Sequence, residues 1–278
     1  MRPLRRTLMR AFGSLLPNRA TDWFEIVMQT PTRPGTRPAA VPRSPGVDRR
    51  VPYGDGWLSF TEWGTGSGIL LVHGWSTSAS VMWPFVDPVV ARGFRAITLD
   101  LPAHGRSDGV RTNLVQCGGA TLAVGHAAGP LAGIVTHSFG GPVSVLALHH
   151  GLRADRLVML GPPLSVTVAA ISVGDALGLP RHVSAGMYDR FADRVGLRPD
   201  ERTTERAVAG LALPILVIHD RDDPVVPWSH GEAIASAAPG GRLMTTRGLG
   251  HRRGLQDVGV IDAVLGFVGG VPRRRLSA

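Results

Sequence analysis

Residues 133–141 read Gly133-Ile134-Val135-Thr136-His137-Ser138-Phe139-Gly140-Gly141, and the fold turns on how they are read. Gly133 to Thr136 is a short apolar, β-branched run of the kind found in strands buried on both faces. Pro142 to His149, just beyond the two glycines, has helical character. A strand that passes directly into a helix must turn sharply, and a serine at the apex of that turn projects its hydroxyl clear of the backbone. Small residues beside it let the turn close. Ser138 is therefore placed as a nucleophile, with a serine that merely caps a helix as the ordinary alternative.

Working outward, Ile69 to Val72, Phe94 to Leu99, Arg156 to Leu160, Pro214 to Ile218 and Arg242 to Thr245 are further runs of strand length. Longer segments of helical length separate them. This alternation predicts an α/β fold, a mostly parallel sheet flanked by helices on both faces. In such sheets ligands bind beyond the carboxyl ends of the strands. A chain of 278 residues suits one such core with insertions.

A serine hydroxyl is a poor nucleophile until a base removes its proton, and the base needs an acid to fix its tautomer. Pro214 to Ile218 runs into His219-Asp220-Arg221-Asp222-Asp223-Pro224-Val225-Val226-Pro227, and His251 follows in Leu249-Gly250-His251. The chain order is Ser, Asp, His, with Ser138, Asp223 and His251 as the catalytic candidates. Asp220 and Asp222 are the other candidates for the acid. Three carboxylates this close also admit a metal site, although a solvated loop is the simpler reading, and no metal or cofactor is expected.

These residues resemble the α/β-hydrolase superfamily, in its serine-nucleophile, esterase- or lipase-like branch with a short cap. The resemblance covers about residues 55–270 and includes His73-Gly74-Trp75, similar to the family's oxyanion segment, and Asp100-Leu101-Pro102-Ala103-His104-Gly105-Arg106-Ser107, similar to its strand-end loop. It implies that the backbone N–H groups of Trp75 and Phe139 form the oxyanion hole. Asp223 fits the family's spacing before Val226-Pro227. The sequence departs from the family's pattern at Thr136, Ala103 and Asp220, where glycine is usual. The resemblance also implies a cap over residues 164–213, where the strand pattern lapses between the core segments 51–163 and 214–272. Trp83, Met187, Tyr188 and Phe191 are the expected pocket residues. Because the nucleophile position holds Ser138, the epoxide-opening and dehalogenating chemistry of relatives with Asp there is not expected. The implied activity is that of a carboxylesterase acting on small to medium apolar esters. Carbon–carbon bond, thioester, lactone or amide hydrolysis and perhydrolysis use the same residues, and a non-catalytic ligand receptor is the reading from a different class.

Ten histidines are present and one base is needed. His73 and His104 are expected to bond loops and His137 to neighbour the nucleophile. His149 and His150 end a helix, where positive charge suits the dipole. His126, His182, His219 and His230 show no partner pattern.

The formal charge is +9, with arginine as the only basic residue besides histidine. Ten arginines and three acids fall in residues 1–50 and three arginines in the tail 273–278, leaving 17 arginines against 18 acids between. The body is nearly neutral, which argues against a nucleic-acid partner. Within residues 1–20, Arg2, Arg5, Arg6 and Arg10 interleave with Leu4, Leu8, Phe12, Leu15 and Leu16 at helical spacing. A basic amphipathic helix is expected, either resting on an anionic membrane surface or folded back on the body. Residues 31–47 are rich in proline and read as an extended linker, so that the compact fold is expected from Val51. No run is long enough to span a bilayer, and Cys117 stands alone, which excludes an intramolecular disulfide. A cytoplasmic protein, with peripheral membrane contact through residues 1–20 as the variant, fits these features.

Overall fold

The computed structural model describes residues 3–32, 41–198 and 200–270. Pro34 and Pro38 of the proline-rich segment, Arg2 and the tail 273–278 lie outside the described residues.

Two helices come first, α1 (Pro3–Leu15) and α2 (Pro17–Gln29). Pro17 stands in the first turn of α2, where its missing N–H leaves no bond unmade. Strands β1 (Gly46–Tyr53) and β2 (Gly56–Trp63) form an antiparallel hairpin. Gly54 in its two-residue loop takes φ +55°, a left-handed value that tight hairpin loops favour. There follow β3 (Gly68–Val72), a 3-10 turn over Ala79–Phe85, α3 (Val86–Ala91), β4 (Arg95–Leu99), α4 (Leu114–Ala128), β5 (Leu131–His137), α5 (Gly140–His149) and β6 (Leu157–Leu160). Three helices, α6 (Val166–Leu177), α7 (Arg181–Arg194) and α8 (Thr204–Ala209), separate β6 from β7 (Ile215–Asp220). The chain ends on α9 (Trp228–Ala237), β8 (Arg242–Thr246) and α10 (Val258–Val268).

The eight strands form one sheet in the order β1-β2-β4-β3-β5-β6-β7-β8, parallel from β4 to β8. All six expected strands are present. The hairpin β1–β2 is an addition, and it brings the start of the sheet forward from Val51 to Gly46. Its first strand carries Asp48, Arg49 and Arg50 on a solvent-exposed edge, so it has no apolar run.

Side chains alternate between the sheet's two faces with period two. On β3, Leu70 and Val72 join Val124 of α4, Val143 of α5 and Ile234 of α9. Ile69 and Leu71 face the other way, against Val86 and Val89 of α3 and Val260 and Val264 of α10. Both faces are thereby covered, which is what parallel strands require.

Helices α1 and α2 do not stand apart from the segment between β6 and β7. Ala20 and Phe24 of α2 bury against Ala170 of α6 and Val183 and Met187 of α7, making a small core of their own. Gly174 permits the approach of α6 to α7, since a Cβ there would lie 2.6 Å from that of Ser184. Ser165 caps α6 by accepting from the Val168 N–H at 3.2 Å. Asp22 pairs with Arg190 at 3.1 Å, and Glu25 pairs with Arg194, stitching α2 to α7. The outcome is a helical layer drawn from two separate segments of the sequence.

Phe24 is fully buried, and truncating such a side chain costs about 3–5 kcal/mol. Phe24→Ala is expected to free α1 and α2 locally while the sheet stays folded. Limited proteolysis followed by mass mapping checks this: cleavage should concentrate within residues 3–32, and a pattern identical to that of the native chain would contradict it.

Candidate active site

Ser138 follows β5 directly and adopts φ +51°, a left-handed conformation costing a non-glycine residue about 1–3 kcal/mol. Its N–H donates to Leu160 O of β6 at 2.8 Å, and its carbonyl accepts from Gly141 N. Glycine is required at position 140, because a Cβ there would lie 2.5 Å from Val72 O and 2.9 Å from His73 O. Thr136, where the resemblance expects glycine, is accommodated because its hydroxyl donates to Val158 O at 3.1 Å.

Ser138 Oγ lies 3.0 Å from His251 Nε2, and His251 Nδ1 lies 2.7 Å from Asp223 Oδ2. The three residues arrive from the β5–α5 turn, the loop after β7 and the loop after β8. Asp223 Oδ1 also accepts from the N–H groups of Val225 at 2.8 Å and Val226 at 2.9 Å. Burial works against this carboxylate's charge, but donation from His219, His251 and the two amides outweighs it and holds the group well below the usual carboxylate range. Asp223 thus stays ionised opposite His251.

The other two carboxylates serve the loops. Asp220 accepts from Asp222 N, Thr246 Oγ1 and Leu249 N, at 2.9, 2.7 and 3.0 Å. Asp222 accepts from Gly248 N at 2.8 Å. Together they tie the end of β7 to the loop that carries His251. Asp220 in place of glycine therefore has a structural use.

Histidines hold much of the surrounding frame. His73 Nε2 accepts from Leu101 N and His104 Nε2 from Ser76 N, both at 3.0 Å, which secures the segment around Trp75. Trp75 packs edge-on against Phe139 with ring centroids 5.2 Å apart. Among the described residues, the backbone N–H groups of Trp75 and Phe139 have no hydrogen-bond acceptor. His137 Nε2 donates to His251 O at 2.8 Å and holds that residue's backbone from beneath. His219, to which the sequence reading gave no role, donates from Nε2 to Val226 O at 3.0 Å and lies 3.4 Å from Asp223 Oδ2. His149 donates to Ala207 O of α8 at 2.7 Å, and His150 lies 3.1 Å from Glu201, so both meet specific acceptors rather than only a helix end.

Ser138 and His251 open onto a cavity of about 580 Å³. Met187, Tyr188 and Phe191 line it, as the sequence reading expects. Trp83 does not: it packs edge-on against Trp63 at 6.4 Å on the far face of the sheet, because the 3-10 turn over 79–85 directs its ring there. Val166, Ala169 and Val173 of α6 and His230 of α9 add to the wall. So do Val27 and Met28 of α2, which no motif in the sequence marks. The Tyr188 hydroxyl is buried with no partner among the described residues.

A serine on a sharp strand-to-helix turn at the carboxyl edge of a parallel sheet, beneath a helical layer, is an arrangement that marks a class of α/β proteins. The chain belongs to the alpha/beta hydrolase family, whose model matches residues 69–263. Among solved structures it is similar to an esterase of Pyrococcus furiosus, with TM-score 0.67 and 18% identity over 87% of this chain and 97% of that one. It is also similar to the esterase RhEst1 of a Rhodococcus species, with TM-score 0.62 and 20% identity over 80% of this chain and 98% of that one. Among curated proteins it is 23% identical to the uncharacterised protein YfhR of Escherichia coli over 181 residues, 61% of this chain, and it spans only 57% of that protein's length.

Burial pushes His73 down to about 4, and burial with the neighbouring His251 pushes His137 down to about 3. The unfolded chain protonates these imidazoles near pH 6.5, whereas the folded one resists until well below pH 5. Their contribution is complete above pH 6.5 and is lost as pH falls, by up to about 1.4 kcal/mol per imidazole per pH unit. The Tm should therefore fall steadily between pH 7 and pH 5, and a flat profile by differential scanning calorimetry would contradict it.

Proposed function

We propose that the chain is a serine hydrolase, a carboxylesterase acting on small to medium apolar esters through an acyl-enzyme on Ser138. The observation that carries this reading is the hydrogen-bonded row Ser138–His251–Asp223 at the wall of an apolar cavity. In it, His251 Nε2 takes the proton of Ser138 Oγ as the oxygen attacks the ester carbonyl. Ionised Asp223 steadies the imidazolium through Nδ1. The unoccupied N–H groups of Trp75 and Phe139 receive the developing oxyanion, each such donor typically contributing about 10²- to 10³-fold in rate. His251 returns the proton to the departing alkoxide, and water, activated by the same imidazole, then releases the acid from Ser138. Every bond made and broken is handled by side chains and amides of this chain.

The cavity wall supports apolar substrates. Many of its hydrophobic members come from α2, α6 and α7, and the carboxylate of Glu25 at its edge is already engaged by Arg194 and by Gln29 at 2.7 Å. Arg252 at the rim is the one cationic lining group apart from the histidines among the described residues, so a charged acyl group reaching past it into the apolar wall would pay a desolvation cost. A volume of about 580 Å³ falls in the ordinary range for small-molecule sites.

Hydrolysis of nitrophenyl esters from acetate to decanoate, with fluorophosphonate labelling, tests the reading. Ser138→Ala should lose about 10⁶-fold in turnover and all labelling. Asp223→Asn should lose about 10⁴-fold while keeping the fold, because His251 then takes the wrong tautomer. A native chain that neither turns over nor labels would favour a ligand receptor instead.

Ala169 lies on the cavity side of α6, and enlarging it to tryptophan should shorten the preferred acyl chain while leaving acetate hydrolysis close to native. An unchanged chain-length profile would place the acyl group elsewhere.

A further inference from the structure

Helix α1 packs onto the helical layer by a narrow side. Gly13 is buried beside the Pro180 ring, and Arg6 crosses Gly178 to donate to Asp175 O at 3.3 Å. The opposite side carries Leu4, Leu8, Ala11 and Leu15 at i, i+4, i+7 and i+11, one stripe along the helix. That stripe faces solvent: Leu4, Leu8 and Leu15 are 69%, 60% and 78% exposed. An amphipathic helix on a globular body normally turns its apolar side inward. Here Met9 and Phe12 do turn inward against the small core, but the leucines are left outside.

The stripe continues beyond α1. Leu16 is exposed at the junction of the two helices, and Trp23 and Ile26 are exposed on the outer side of α2. Trp23 meets Phe12 edge-on at 6.3 Å, joining the two helices into one surface. Contiguous exposed apolar patches of this kind mark contact sites rather than ordinary surface.

Charge narrows the partner. Asp22 and Glu25, the acids of this helix pair, are both engaged by arginines of α7. Arg5, Arg10 and Arg19 are exposed and form no ion pair among the described residues. A surface that presents leucines and a tryptophan, ringed by unpaired guanidinium groups with its acids neutralised, matches an interface that is apolar within and anionic outside. Neither α1 nor any other described helix is long and apolar enough to cross a membrane, so the contact would lie in the interface plane.

We propose that α1 and α2 form a docking surface for anionic lipid bilayers, with Leu4, Leu8, Leu15 and Leu16 entering the acyl boundary, Trp23 at the headgroup level, and Arg5, Arg10 and Arg19 engaging lipid phosphates. The inner side of α2 walls the cavity over Ser138, so the same helix that meets the bilayer bounds the site. Docking itself does not rest on the esterase reading.

Flotation of the full chain with phosphatidylcholine vesicles, with and without phosphatidylglycerol, tests the proposal alongside a variant carrying Leu4→Ser, Leu8→Ser and Leu15→Ser and another carrying Arg5→Gln, Arg10→Gln and Arg19→Gln. The native chain should float with the anionic vesicles. Both variants should bind at least about tenfold more weakly, with native Tm and native hydrolysis of a soluble nitrophenyl acetate, and 1 M salt should weaken native binding. Failure of the native chain to float, or equal flotation of the leucine variant, overturns the proposal. So does a native dimer by analytical ultracentrifugation that the leucine variant abolishes, since a second copy would then own the surface.

Discussion

The contact of Gly140 with the carbonyls of Val72 and His73 governs how this molecule is arranged. It allows α5 to leave β5 at once and to start against the end of β3, and it forces Ser138 into a left-handed conformation at the apex. No larger residue fits there, and no gentler turn would raise the hydroxyl above the sheet's edge. Neighbouring strands over-determine the strained residue: β6 accepts its N–H, and the loop after β3 runs so close that a Cβ added at Gly74 would lie 3.1 Å from that of Ser138. Strain of this size persists only where the surroundings fix it on several sides.

Once the apex is placed, the remaining groups are delivered by loops whose own anchors are polar and, apart from Asp222, buried. Asp220 and Asp222 bind the β7 and β8 loops together, His137 holds the backbone of His251 from below, and His73 and His104 secure the segment that presents the Trp75 amide. These anchors touch no reacting atom in the proposed mechanism. They replace the water that would otherwise solvate the loop backbones, and so keep the distances between Ser138, His251 and Asp223 short without a substrate.

The helical layer above the site has a mixed origin. Helices α6 to α8 arise between β6 and β7, whereas α2 comes from the first thirty residues and completes both the layer's small core and the cavity wall. An enclosure assembled from two distant segments links the first helices of the chain to the cavity that Ser138 and His251 face. It also leaves the outer face of those helices free of the body, which is why α1 can keep its leucines in solvent.

The sequence by itself determined the strand runs and the sharp turn that carries Ser138, and it placed Asp220, Asp222, Asp223 and His251 just past strand ends, because each is a local pattern: an apolar run of strand length, a serine between small residues, polar groups where a strand stops. It favoured Asp223 over Asp220 and Asp222 only by resemblance, since spacing along a loop says little about which carboxylate meets His251 in space. It also passed over β1 and β2, whose edge strand is charged, although Gly54-Asp55-Gly56 was a usable hairpin signal. Tertiary structure alone decided that Trp83 packs away from the cavity, that Val27 and Met28 help to wall it, that His219 stands beside Asp223, and that the leucines of α1 face outward while Met9 and Phe12 turn in. Each of these depends on which surfaces meet between segments far apart in the chain, and neither periodicity nor motif spacing carries that information.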